Sequence, residues 1–221
     1  MCGRFTLTDP SEALSALFEA VPANDLPEVP NYNICPTNRV HAVTFEVGAR
    51  RLRALRWGFI PHWAKAENDG PLLINARAET IAEKPAFHDS VRERRCLIPA
   101  SGFYEWTKDD AGKRLPWYIR PQGGGPIAFA GIWQDWTKGE APLATAAIVT
   151  TGANEALRPI HHRMPVILHA KDWPLWLGEA GKGAATLMTS APEDLLETAR
   201  VDPAVNSNQA AGPGLIAAID A

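Results

Sequence analysis

Beyond a proline-broken loop from Pro22 to Pro36, the chain becomes a series of short apolar runs with a period of two. "VHAVTFEV", "RRLRALRWGF", "CLIPASGFYEW", "PWYIR", "IAFAGIW", "LATAAIVT" and "PVILH" are rich in β-branched and aromatic residues and are separated by Gly, Pro, Asp and Lys. A period of two sends successive side chains to opposite faces of a sheet, so these runs read as strands. "TKDDAGKRL" reads as a hairpin connection between two of them. Helices are confined to the ends and the gaps. "TDPSEALSALFEAV" predicts the first, with Asp9 as cap, Pro10 at the first helical position, Glu12 in a capping box and a stripe of Leu14, Leu17, Phe18 and Val21. "AFHDSVRERR", "AKDWPLWL" and "PEDLLETA" predict three more short helices. The fold class is therefore α+β: a curved, mostly antiparallel, barrel-like sheet with peripheral short helices.

A chain of 221 residues suits one domain, spanning residues 1–221 with a loose tail from about 207. It buries enough surface to need no disulfide staples. Three cysteines, Cys2, Cys35 and Cys96, form no framework, which favours a reducing compartment. Neither CxxC nor HxxxH spacing occurs, so no metal and no cofactor is expected. A basic-then-apolar leader and a bilayer-length apolar run are both absent, giving the expectation of a cytoplasmic, soluble protein that uses no membrane. The net charge of −3 argues against a protein that coats long stretches of nucleic acid, since such affinity comes from many phosphate contacts. A short footprint lined by a few arginines is compatible with it.

Four stretches carry more polar function than their apolar surroundings require: "MCGRF", "LLINARAET", "GFYEW" and "PIHHRMP". In the second, alternation along a strand end places Asn75, Arg77 and Glu79 on one face; an ordinary loop anchor would use the same residues. Glu105 stands between Tyr104 and Trp106, so it faces away from them. A carboxylate desolvated there exchanges protons near neutrality, whereas on an open edge it would only pair with a cation. His161 and His162 are pinned between Pro159 and Pro165; neighbours in an extended loop point apart, so at most one enters a shared pocket. Singly, each of these groups has an ordinary structural explanation.

Together, a thiol, an imidazole, a carboxylate and a carboxamide are the parts of a covalent site. Cys2 adds what an internal cysteine lacks. Initiator methionine is expected to be removed before so small a residue, leaving a free α-amine beside the thiol. An α-amine has a pKa of about 7.7–8.0 against about 10.4 for lysine, so its neutral fraction at pH 7 is roughly 300-fold greater. A neutral amine attacks an aldehyde to give an imine, and the neighbouring thiol then closes a five-membered thiazolidine.

"MCGRF", "NYNICPTN", "WGFIPHWA", "LLINARAET", "CLIPASGFYEW" and "PIHHRMPVIL", with a weaker "VDPAVN", occur in the order and approximate spacing of one family. From residue 2 to about 206 the chain resembles the SOS-response-associated peptidase family, the abasic-site processing proteins that crosslink to DNA. The resemblance implies a sensor of abasic sites in single-stranded DNA, including single-strand to double-strand junctions, acting as a monomer and nucleoid-associated when bound. It implies that Cys2 is the nucleophile, that Asn75 orients the Cys2 end, that Glu105 handles protons at the amine and that His161 assists sugar ring opening and crosslink reversal. Arg4 and Arg77 resemble phosphate-binding arginines. Thr150 falls where the family contacts the DNA backbone, and Trp63, with Pro36 and Phe59 behind it, resembles an apolar wedge against bases. "HWAKAENDGPL" is a polar insertion next to that wedge, and "RRLRALR" reads as a solvated strand face or an extension of the phosphate track.

Two other classes use the same residues. An N-terminal-nucleophile thiol hydrolase would turn Cys2, His161 and Glu105 on an amide. A non-catalytic reader of single-stranded or junction DNA would use Cys2 structurally.

Overall fold

The computed structural model describes residues 2–219. Two sheets carry the fold. The five-stranded one runs Leu196–Arg200, Arg114–Pro121, Gly102–Lys108, Phe5–Leu7, Asn31–Ile34, and its pairings are antiparallel. The nine-stranded one follows the path Arg163–Pro165, Leu143–Gly152, Ile127–Trp136, Arg95–Ala100, Arg39–Glu46, Ala49–Trp57, Val21–Pro22, with Ile167–Leu168 and Asn75–Arg77 attached beside it. It curls until Ala49–Trp57 meets Leu143–Gly152 in parallel through Thr145↔Arg56 and Ala146↔Trp57. That contact gives way to Asn75–Arg77, which pairs in parallel with Ile148, Val149 and Thr150, so the sheet is curled rather than a closed barrel. The α+β class and the mostly antiparallel sheet agree with the sequence.

Between the sheets lies an aromatic core. Phe5 packs on Trp57 at 5.0 Å and on Phe129 at 5.8 Å, and Phe103 also meets Phe129 at 5.8 Å. The Ile127–Trp136 strand is buried on both faces over almost its whole length, which explains its small residues. A Cβ at Gly131 would stand 2.8 Å from the Cys96 sulfur, so only glycine lets these strands approach. Trp176 closes the outer side and donates to the Cys96 carbonyl at 2.9 Å.

The ends of the chain depart from expectation. The first helix is Ser11–Phe18, with Pro10 at its cap and no side-chain cap. Asp9 instead accepts from the Ser101 hydroxyl at 2.8 Å. Only Leu14 and Phe18 of the stripe are buried; Glu19 turns left-handed at φ 51°, which ends the helix and leaves Val21 exposed. "PEDLLETA" is no helix: Leu196–Arg200 is the edge strand paired with Arg114–Pro121, tertiary pairing overriding helical propensity. Nor are residues 207–219 loose. Asn33 donates to the Ser207 and Ala210 carbonyls, Ala218 bridges to Val201, and Leu215 is buried with Tyr104, Tyr118, Val201 and Val205. A second apolar cluster needs this cover, which a scan for strands and helices does not register.

Candidate active site

The strand that begins at Phe5 fixes Cys2. Phe5–Leu7 is hydrogen-bonded on both sides, with Phe5 opposite Ile34 and Phe103, and the Phe5 ring is sunk in the core. The Tyr104 N–H donates to the Arg4 carbonyl at 3.0 Å, so the register runs on past the strand and sets Gly3 level with Glu105. From the other sheet, Asn75 Nδ2 donates to the Cys2 carbonyl at 3.0 Å. Asn75 stands at the start of the strand that lies beside Ile148–Thr150, so the bond ties the two sheets together at the thiol residue. Asn75 Oδ1 is buried and takes no hydrogen bond among the described residues, which leaves an acceptor aimed into the site. Cys2 is fully buried; burial first, then the Glu105 charge, pushes its thiol far up. The sulfur is thus held protonated. Met1, whose removal the sequence predicts, lies outside the described residues.

Glu105 is 4% exposed. Tyr104 and Trp106 on either side of it turn to the second apolar cluster, leaving the carboxyl on the Cys2 side. Burial raises its pKa, while the Arg114 charge opposes the shift. A carboxyl so placed exchanges a proton in a range where an ordinary carboxylate is already ionised.

His161 lines a cavity of about 330 Å³ with Gly3, Arg4, Glu105, Trp106, Lys108 and Arg114. The Arg163 N–H donates to its Nδ1 at 2.9 Å, which leaves the proton of the neutral ring on Nε2. The Arg163 carbonyl, 3.3 Å from the same nitrogen, would be the partner only if Nδ1 carried the proton. Burial, with His162 adding to it, lowers the pKa and keeps the ring neutral. His161 and His162 do not point apart: their rings stack at 4.4 Å. The Arg163 bond bends the chain back at this point, so the loop is not extended.

The remaining candidates divide. Arg77 is exposed and lines a second cavity, of about 530 Å³, with Trp63, Leu73, Asn75, Thr80, Lys84 and Phe87. Trp63 is 45% exposed there, edge-on to His62 at 4.9 Å, and is no core residue. The insertion beside it forms a pinned turn, with Ala64 buried against Trp136 and the Lys65 N–H bonded to Asp69. Pro36 is partly buried. Phe59 is a correction: at 2% exposure it packs on Phe87 at 5.4 Å and presents no face to a base. Thr150 is another, being fully buried with its carbonyl already accepting from Arg163 at 2.7 Å and from Ala78. Glu79 lies beyond the end of its strand, off the Asn75 face, where it grips Arg163 at 2.6 and 2.9 Å and is held below the usual carboxylate range by that bond. Arg4 bonds to Asn33 at 2.6 Å and to the Val205 carbonyl at 3.1 Å. In "RRLRALR", Arg50 pairs with Glu179, Arg53 with Glu46, and Arg56 with the Gly58 carbonyl, so these three are structural, while Arg51 is exposed.

Sequence reasoning missed Lys108 and Arg114, which flank the "TKDDAGKRL" turn, and Arg163, which fixes the His161 ring. Only the register of the hairpin and the fold-back after His161 bring them to the site. Among the described residues no group of three or more His, Cys, Asp or Glu is arranged to hold a metal, and all three cysteines are free thiols.

Known proteins share this geometry's sequence and fold. The abasic site processing protein YoaM of Bacillus subtilis is 39% identical over 218 residues, 94% of this chain and 93% of its own length. The abasic site processing protein YedK of Escherichia coli is 31% identical over 196 residues, 86% of each chain. A crystal structure of a protein from Bacteroides thetaiotaomicron superposes with a TM-score of 0.85 over 99% of this chain and 100% of that one, at 24% identity, and so shares the fold. A family model matches residues 1–208, the span that holds every group described above, and the chain belongs to the SOS response associated peptidase (SRAP) family.

Proposed function

We propose that this chain processes abasic sites, capturing the ring-opened aldehyde in single-stranded DNA as a thiazolidine on Cys2. The observation that carries the reading is the 3.0 Å bond from Asn75 to the Cys2 carbonyl, which holds the end of the chain beside Glu105 and His161. Relatives named abasic site processing protein, matching over most of their length, supply the substrate class.

The environment dictates an order of events. The buried thiol is no thiolate, so it cannot strike first. The α-amine of Cys2, freed once Met1 is gone, attacks C1′ of the open sugar. As the hemiacetal opens, the C1′–O4′ bond breaks and the C1′ hydroxyl proton moves to O4′, and His161, neutral with its proton on Nε2, would donate a hydrogen bond to that ring oxygen. Glu105 gives a proton to the departing hydroxyl of the carbinolamine, which leaves as water. The thiol then adds to the iminium carbon, whose electron pair returns to nitrogen, and its proton passes to the Glu105 carboxylate, which restores the acid. One aldehyde and one terminal cysteine give one thiazolidine and one water. Arg77 and Trp63 would hold the neighbouring phosphate and base.

A denaturing gel with an abasic oligonucleotide tests this. A covalent band is expected for the chain lacking Met1 and none for Cys2→Ala, with non-covalent binding kept. A heat-stable band from a chain that retains Met1 would refute the thiazolidine route. Peptide turnover without a band would select a hydrolase, and binding without any Cys2 dependence a simple reader.

A further inference from the structure

The Arg77 side of the site accounts for one flank of a bound strand. On the other flank, Lys108 and Arg114 stand directly opposite each other on the Gly102–Lys108 and Arg114–Pro121 strands. Like charges at a directly opposed pair destabilise a sheet unless something neutralises them. Some cations of the molecule are neutralised, with Arg39, Arg50, Arg53, Arg120, Arg158 and Arg163 each holding a carboxylate, and others, Arg51 and Arg77 among them, have no ion pair among the described residues. Neither Lys108 nor Arg114 has an ion pair among the described residues. Asp109, the nearest acid in sequence, accepts from the Lys113 N–H at 2.8 Å to close the turn. The Arg114 guanidinium lies over the Trp106 ring, 4.6 Å from its centroid, and is held there by that contact. Both cations line the 330 Å³ cavity that contains Gly3, Glu105 and His161, and Glu105, its one acid, is buried.

We propose that Lys108 and Arg114 form a phosphodiester-binding subsite on the Gly3 side of Cys2, which, with Arg77 on the Asn75 side, holds the backbone of a bound strand on both sides of the captured sugar. The two cavities lie on either side of Cys2 in the chain of contacts, because Asn75, which lines one, bonds to Cys2, and Gly3, the next residue, lines the other. The proposal rests on the reading of the site as one for single-stranded DNA. Its ligand is the strand's own phosphate, bidentate to the guanidinium and point-charged to the ammonium.

The test is fluorescence anisotropy with a labelled single-stranded oligonucleotide carrying a tetrahydrofuran residue, titrated over a salt series. K108A/R114A is expected to bind roughly ten-fold more weakly at low salt, with a log–log salt slope shallower by about 1.4, the value for two single-strand contacts at about 0.7 each. Lys113→Ala, on the same turn and without a described side-chain contact, controls for charge alone and should leave the slope unchanged. Replacing the linkages beside the tetrahydrofuran with methylphosphonates should weaken the wild type and cost the double variant little more, which places the contact on the strand. Wild-type affinity and slope in K108A/R114A, or additive losses with the methylphosphonates, would overturn the subsite. A failure of the aldehyde chemistry is separate: a wild type that captures no abasic oligonucleotide, yet loses slope in K108A/R114A, would retain the subsite and lose the thiazolidine.

Discussion

Asn75 spends one half of its carboxamide on the Cys2 carbonyl and leaves the other half open. Asn75→Ala is expected to cost about 1 kcal/mol of stability and to slow capture by roughly 10–100-fold, because a loosened nucleophile misses the attack geometry. A single-turnover gel at saturating DNA measures the rate, and anisotropy shows whether affinity is kept. Glu105 is costly to bury. Its folded-state pKa lies above the ordinary value of 4.5, so folding is penalised once pH rises through that value and the unfolded chain ionises first. Glu105→Gln is therefore expected to raise the melting temperature at pH 7, with the gap closing below pH 4.5, while capture slows far more than binding to undamaged strands. At this scale the sequence was informative about chemistry and poor about exposure. Residue types and order singled out Cys2, Asn75, Glu105 and His161. Nothing in a string of letters distinguishes Trp63, left on the surface, from Phe59, sunk against Phe87.

Among the elements, the strands were legible because alternation and β-branching are local signals, and the helix ends were not. The Ser11–Phe18 helix is held by tertiary contacts where caps were expected, one of them between the Ser11 hydroxyl and His41 Nε2 at 3.1 Å. Burial lowers the His41 pKa to about 4 from an ordinary 6.5. The unfolded chain thus takes up a proton that the folded one refuses. Stability should be level above pH 6.5, fall as pH drops toward about 4 and level off below that. The loss is about 3.5 kcal/mol at most, at about 1.4 kcal/mol for each tenfold change in proton affinity. His41→Gln should flatten that window in urea titrations across the pH range. The short strands Phe5–Leu7 and Asn75–Arg77 escaped a period count because three residues show no period; their motifs, not their patterning, marked them.

For the molecule as a whole, the segment after residue 206 belongs to the site's support. Leu215 seals the cluster on which Tyr104 and Trp106 rest, the residues that bracket Glu105. Leu215→Ala should destabilise by about 2–5 kcal/mol in urea unfolding, the range for emptying a buried leucine site. A chain ending at 206 should melt at a lower temperature and capture poorly. An unaffected truncation would return this segment to the status of a tail.

The bond from Arg4 to the Val205 carbonyl joins positions separated by 201 residues. During synthesis the first partner leaves the ribosome well before the second exists, an interval of about 10–40 s at 5–20 residues per second. For that time Arg4 lacks the carbonyl that holds it in the finished fold. Closure of the fold around the Phe5–Leu7 strand is thereby ordered by translation itself.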